Sequence, residues 1–320
     1  MRGVEVAEDL IARLLAKHLL DSRQEVRPTF STAFEIYMHE HPRADRKRFR
    51  ETALLYYRYF IDFFGDLPLD ELRHWHIVQY RDHQLARGLM PASVRKHNNT
   101  FNAMLNMAFK HLGIDRLSPF RALMIRGEGE VGRPIPVITP ETMGKVKRHL
   151  LEFDAAYRLV ALIQLNTGMR VSEPAQARLE DCVLDHVIPH LWVRKNEFTD
   201  RKTRSSIRAV PLLGESLIAA QKLYKKAQSQ GSEWLVPAYG KENGNNNCSA
   251  AINKSLRDLN FRSHMFRHAF IDRLKACGDI PTKLAESITG HARGGSDFDS
   301  YGSVGYTLEQ KLAVMRRVMV

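Results

Sequence analysis

Four short runs in the second half of the chain carry groups suited to phosphate chemistry. Arg170, in NTGMRVSE, follows a glycine that breaks one helical pattern and opens the next segment. Its planar fork can grip two phosphate oxygens at once, although a lone arginine there is more often a surface or capping residue. Lys202 lies in RKTRSSIRAVPL, where a basic turn precedes a strand, and can project from a hairpin tip toward bound phosphate. Lys195 is a nearby alternative. His264 and Arg267, in HMFRH, stand three residues apart and share a helix face, so both can reach one group of ligand atoms. His268 gives this run the look of a metal site, but no glutamate fills the HExxH position and no third ligand is evident, so no metal is expected. In GHARGGSDFDSYG, His291 follows a glycine, and Tyr301 sits between Ser300 and Gly302. A single tyrosine is usually a packed aromatic, and Tyr306 is a second one on the same segment.

These groups need a scaffold, and the pattern of apolar residues supplies one. From about Phe30 to His111 the periodicity is helical throughout. It predicts helices over Thr32 to His39, Asp45 to Phe64 and Asp70 to Arg87, and a fourth opened by Pro91 with Val94, Phe101, Leu105, Ala108 and Leu112 on its apolar face. GEGEVGRPIP, between Gly127 and Pro136, loses that periodicity and marks a boundary. GEGEVG is literally GxGxxG, but no strand precedes it and no helix follows, so a dinucleotide site is not expected. No GxxxxGK[ST] loop argues for ATP.

Beyond the boundary the sequence predicts a helix over Pro140 to Phe153 capped by Thr139, and another over Ala155 to Leu165. Short strands follow at Val183 to Asp185, His190 to Arg194 and Ile207 to Pro211. Helices are then expected over Glu215 to Gln228, Ser249 to Leu259, His264 to Cys277 and Pro281 to Thr289. The polar patch GKENGNNNC is expected to be a surface loop. The fold class is therefore mainly α (α+β): a four-helix unit, then a mainly helical domain with a small sheet.

The 320-residue chain has room for two cores, and its formal charge of +12 favours a polyanionic partner, nucleic acid first, over a basic enzyme with dispersed charge. No apolar run approaches membrane-spanning length, and the first residues lack a secretory signal. Three scattered cysteines with no CxxC pair suit a reducing cytoplasm.

Arg, Lys, His-x-x-Arg, His and Tyr occur in an order and spacing that resemble the tyrosine recombinase, or phage integrase, family. The resemblance runs from about Arg27 to Leu308. It is strongest in TGMRVSE at Thr167 to Glu173, in HMFRH at His264 to His268, and in Gly290-His291 followed ten residues later by Tyr301. Departures are Pro174 where a leucine is usual, SPF at Ser118 to Phe120 in place of Asn-Pro, and a His291 to Tyr301 interval one residue longer than in familiar members.

The resemblance implies a leader helix over 1–26, a core-binding (SAM-like) DNA-binding domain over 27–126, a linker over 127–137, a catalytic domain over 138–308 and a tail helix over 309–320. That tail either docks on a neighbouring protomer or packs on its own domain. The leader is shorter than the arm-binding domain of some phage integrases. The resemblance further implies a site-specific recombinase that cleaves and rejoins DNA through a 3′-phosphotyrosyl intermediate and a Holliday junction, with no metal and no cofactor. Catalysis would rest on Arg170, Lys202, His264, Arg267, His291 and Tyr301. Arg95, Lys96, Asn98 and Asn99 are candidate DNA contacts, or else a solvated polar face. The implied partners are double-stranded recombination sites, three further copies of the chain on DNA, with a monomer or dimer in its absence, and accessory DNA-bending proteins. The implied location is the cytoplasm, at the nucleoid. A silent DNA-binding regulator and a type IB topoisomerase are the competing readings.

Overall fold

The computed structural model describes residues 27–129, 137–198, 207–290 and 305–320. The chain divides into two compact units, Met1–Pro134 and Ile135–Val320.

In the first unit, helices α1 (Phe30–Glu40), α2 (Lys47–Phe64), α3 (His74–Ala86) and α4 (Pro91–His111) enclose an aromatic core. Phe30, Phe60, Tyr80, Phe101 and Phe120 are fully buried, and the Phe30 and Phe60 rings stack at 3.9 Å. Pro91 starts α4 because its fixed φ suits a first turn whose N–H groups have no helical partner. The expected apolar face of α4 is buried at Val94, Phe101, Leu105 and Ala108, while Leu112, just past the helix end, is 38% exposed.

Helix α3 begins at His74, four residues later than the acid-rich start expected at Asp70. Two tertiary interactions explain the shift. The carbonyls of Leu69 and Leu72 accept hydrogen bonds from Arg116, and Asp70 pairs with Arg27. The His76 ring then takes the Arg73 N–H at 3.0 Å and caps the true start.

The second unit is built around α6 (Ala156–Thr167), whose residues from Arg158 to Thr167 are all buried. Helices α5 (Pro140–Leu151), α8 (Glu215–Ser229), α9 (Gly244–Ser255) and α10 (Ser263–Ala276) pack around it. The short helix α7 (Ser172–Ala175) follows it directly. Strands β1 (Cys182–Val183), β2 (His190–Val193) and β3 (Arg208–Pro211) form an antiparallel sheet in that order, with Leu191 opposite both Cys182 and Val210. Helices α11 (Thr282–Thr289) and α12 (Leu308–Arg317) lie against β3.

Two expectations for this unit are corrected. GKENGNNNC is not a surface loop throughout, because α9 starts at Gly244 and runs through the asparagines to Cys248, which is fully buried. A Cβ at Gly244 would stand 1.9 Å from the Tyr239 carbonyl oxygen, so glycine permits this tight entry. The helix expected over Ser249 to Leu259 ends at Ser255, and a 3-10 turn over Arg257–Leu259 follows.

The tail packs on its own unit. Val314, Met315 and Val318 join its core, Lys311 donates to the Ala209 carbonyl at 3.1 Å, and the Val320 N–H donates to Asn166 Oδ1 at 2.9 Å. Among the described residues the fold is mainly helical with one small sheet.

Candidate active site

The turn after α6 sets the first arginine. Gly168 ends the helix with φ +62°, a left-handed conformation that side chains disfavour, and a Cβ there would lie 2.4 Å from the Phe270 ring. Glycine therefore serves both the backbone and the close approach of α10. The turn is stitched internally: Thr167 Oγ1 donates to the Ile163 carbonyl at 2.6 Å, and Gln164 Nε2 donates to the Met169 carbonyl at 2.9 Å. Ser263, at the start of α10, donates through Oγ to Gln164 Oε1 at 3.3 Å.

Arg170 emerges from this turn with a side chain 40% exposed. Its backbone N–H donates to Glu173 Oε2 at 2.9 Å, and its Nη1 lies 3.4 Å from Glu173 Oε1. Arg267, one turn into α10, is buried, and its Nη1 donates to the Gly168 carbonyl at 2.9 Å. The fold thus ties the two arginines to one turn, from segments almost a hundred residues apart.

Burial pushes the Arg267 guanidinium down to about 10, and Arg170 beside it acts in the same direction, while Glu173 opposes them. It stays charged at neutral pH. Glu173 is itself buried and meets Arg208 of β3 in a two-point ion pair, with Arg208 Nη1 to Glu173 Oε1 at 3.2 Å and Nη2 to Oε2 at 2.8 Å. One carboxylate therefore serves three arginines' neighbourhood: it pairs with Arg208, bonds Arg170 and holds Arg267 in its field.

His264 stands in the first turn of α10, exposed to solvent, three residues before the buried Arg267. Its pKa lies below the ordinary imidazole value, first through partial burial and then through His268 and the cationic Arg267 and Arg170. At neutral pH the ring is neutral and able to take a proton. The His264 and His268 rings meet edge to face at 4.7 Å. Among the described residues, no group of His, Cys, Asp and Glu is placed to hold a metal ion.

Lys202, His291 and Tyr301 lie outside the described residues. Of the alternatives, Lys195 is exposed just after β2, and Tyr306 is half-buried against the core of its unit. Glu173 and Arg208 were missing from the expected set. The available signals were a glutamate three residues after Arg170 and a lone charge inside the apolar strand IRAVPLL, which a core accepts only with a partner.

The four expected DNA contacts on α4 separate in the structure. Lys96 and Asn99 are exposed, as a solvent face requires. Asn98 does not share that face: it is buried, and its Oδ1 has no hydrogen-bond partner among the described residues. Arg95 is clamped by Glu128, with Nε to Oε1 at 2.6 Å and Nη2 to Oε2 at 2.5 Å, and also donates to the Leu123 carbonyl.

Residues 138–301 match the model of the phage integrase family, a little over half of the chain. The chain belongs to the phage integrase family. Two curated relatives, each named integrase/recombinase, from Escherichia coli and Pseudomonas aeruginosa, are 34% identical over 109 residues. That segment is 32% of this chain and 31% of each relative, so it spans about a third of either protein. Among solved structures, the lambda integrase tetramer bound to a Holliday junction aligns with a TM-score of 0.65 at 15% identity, covering 92% of this chain and 88% of that one. The Tn1549 transposon integrase bound to transposon right end DNA gives 0.59 at 19% identity, covering 90% and 99%. At these identities the structural likeness establishes the integrase fold.

Proposed function

We propose that this phage integrase family member is a site-specific DNA recombinase that breaks and rejoins strands through a phosphotyrosine. The observation that carries this reading is the gathering of Arg170 and Arg267 around the Gly168 turn, with His264 exposed beside them. Two fixed guanidinium groups suit the non-bridging oxygens of a phosphodiester, whose added charge in the pentavalent transition state they stabilise. In the proposed reaction the Tyr301 hydroxyl attacks phosphorus, forming the phosphotyrosyl bond as the bond to the 5′ oxygen breaks. The tyrosine proton passes to His264, Lys202 protonates the departing 5′ oxygen, and His291 donates a hydrogen bond to the phosphate. One phosphoester replaces another, so the step reverses without a nucleotide cofactor.

The proposed substrate is duplex DNA at recombination sites, with four copies of the chain exchanging strands through a Holliday junction. Both the lambda and Tn1549 proteins are integrases captured with DNA, which supports that partner class. Of the four candidate α4 contacts, the exposed Lys96 and Asn99 would meet it. No helix among the described residues is long and apolar enough to cross a membrane, and the proposed place of action is the nucleoid.

The test is a denaturing gel. Wild type and Tyr301→Phe are incubated, without metal, with nicked suicide duplexes tiling the DNA that flanks the coding sequence. A covalent adduct with the wild type alone supports the reading; duplex binding without an adduct in either protein would point to a silent DNA-binding regulator.

A further inference from the structure

A guanidinium inside a buried strand is tolerated only when its donors are matched, because an unpaired charge there is strongly destabilising. All four residues of β3 are buried, and the Arg208 side chain is 3% exposed. Its fork joins two other segments. Nε donates to the Ile288 carbonyl at 2.7 Å, at the end of α11, while Nη1 and Nη2 grip the Glu173 carboxylate. Gly290 closes against the guanidinium, where a Cβ would lie 2.5 Å from Nη1. Glu173 then bonds the Arg170 backbone and faces its guanidinium.

We propose that Arg208 is a positioning residue for Arg170: by fixing the Glu173 carboxylate against the end of α11, it sets where the phosphate-binding guanidinium stands. This rests on the recombinase reading given above. A fork held at both edges resists rotation, so the carboxylate has one orientation and passes it to the Arg170 turn. Lysine at this position would keep the charge but lose the fork, and could not satisfy the Ile288 carbonyl and both carboxylate oxygens together. An error of about 1 Å in a phosphate-binding group can lower a rate by about 100-fold, so the position matters to chemistry without touching the substrate.

Arg208→Lys and the double variant Glu173→Gln/Arg208→Met test this; the second removes both buried charges and so guards against simple unfolding. Circular dichroism and thermal unfolding give the folded fraction. A cleaved duplex from the flanking DNA is prepared with either an ordinary scissile phosphate or an uncharged methylphosphonate, and single-turnover cleavage and duplex affinity are measured on both. Arg208→Lys is expected to stay folded and bind the duplex within about twofold of wild type, while cleaving the phosphate about 100-fold more slowly. On the methylphosphonate the deficit should shrink to under about tenfold, since a neutral centre draws less on Arg170. The double variant should show the same split.

A rate within about threefold of wild type per folded molecule, a loss that tracks the folded fraction, or an equal deficit on both substrates overturns the positioning role. If the wild type forms no adduct with any duplex, the recombinase reading itself fails and this role goes with it. The wild-type lane therefore separates the two failures.

Discussion

The Tyr80 hydroxyl, from α3, lies 2.9 Å from His97 Nδ1, from α4, and both side chains are buried in the first unit. A hydrogen bond joins the hydroxyl to the ring, and the Tyr56 ring lies 4.1 Å from the imidazole. Burial pushes His97 down to about 4 from its ordinary 6.5. Between those values the unfolded chain binds a proton that the folded one refuses, so stability is complete above pH ~6.5 and falls as pH drops toward ~4. The loss should reach roughly 3 kcal/mol. Urea midpoints of the full chain at pH 7 and pH 4 check this against His97→Gln, which keeps an acceptor for Tyr80 without titrating. Equal pH dependence in the two proteins would sink the assignment.

The Glu173–Arg208 pair should behave asymmetrically in stability. Both side chains are buried, at 1% and 3% exposed. Glu173→Ala strands a buried guanidinium and should cost about 3–5 kcal/mol, whereas removing both charges together should cost far less. Urea denaturation of the two variants at one pH measures the difference, and a double variant as unstable as the single one would contradict it.

Gly168 and Gly88 share a positive φ but differ in surroundings. Gly88 has φ +84°, and a Cβ added there would meet nothing within 4 Å, while one at Gly168 would meet Phe270 at 2.4 Å. Gly88→Ala should therefore cost about 1 kcal/mol from backbone alone. Gly168→Ala should cost at least about 3 kcal/mol, since the Phe270 overlap adds to the strain. Thermal midpoints of the pair decide whether the close approach matters.

Arg267→Lys keeps a cation but loses the fork that bonds the Gly168 carbonyl. Single-turnover cleavage should fall by about 100-fold or more, with duplex affinity nearly unchanged, as expected for a group that acts mainly in the transition state. A proportional loss of binding would assign it to DNA holding instead.

Arg95 can meet a phosphate only by leaving Glu128, which clamps it at two points. Glu128→Gln should loosen that clamp and raise duplex affinity, steepening the salt dependence by about one phosphate contact. Fluorescence anisotropy across a salt series reads this directly. An unchanged slope would leave Arg95 a structural brace of the first unit.

Where apolar spacing is regular and ends in a local signal, the sequence sufficed: Gly168 stops α6, Pro91 starts α4, and the three strands fall within a residue or two of their expected places. Distant partners defeated it elsewhere. Nothing near Asp70 reveals that Arg116 will take the Leu69 and Leu72 carbonyls, and nothing in GKENGNNNC reveals that Cys248 will be drawn into the core beneath Tyr239. For the candidate site, order and spacing single out Arg170, His264 and Arg267, and the structure ties the two arginines to one turn. The brace beneath them was not legible, because Glu173 and Arg208 are separated by 35 residues and meet only when β3 folds against the turn. Asn98 is buried rather than on the solvent face, because helical spacing alone does not say how wide the buried face of α4 is.

Helix α6 is enclosed on every side from Arg158 to Thr167, whereas α4 keeps Lys96 and Asn99 open to solvent. Mutational freedom is thus unevenly distributed along the chain. Drift on the open stripe of α4 costs the fold little, while nearly every change in α6 disturbs packing at native density and shifts the turn that carries Arg170. If the proposed roles hold, a lineage of such proteins could vary the α4 stripe quickly while the rod beneath the Arg170 turn stays frozen, and so acquire new targets without rebuilding the machinery.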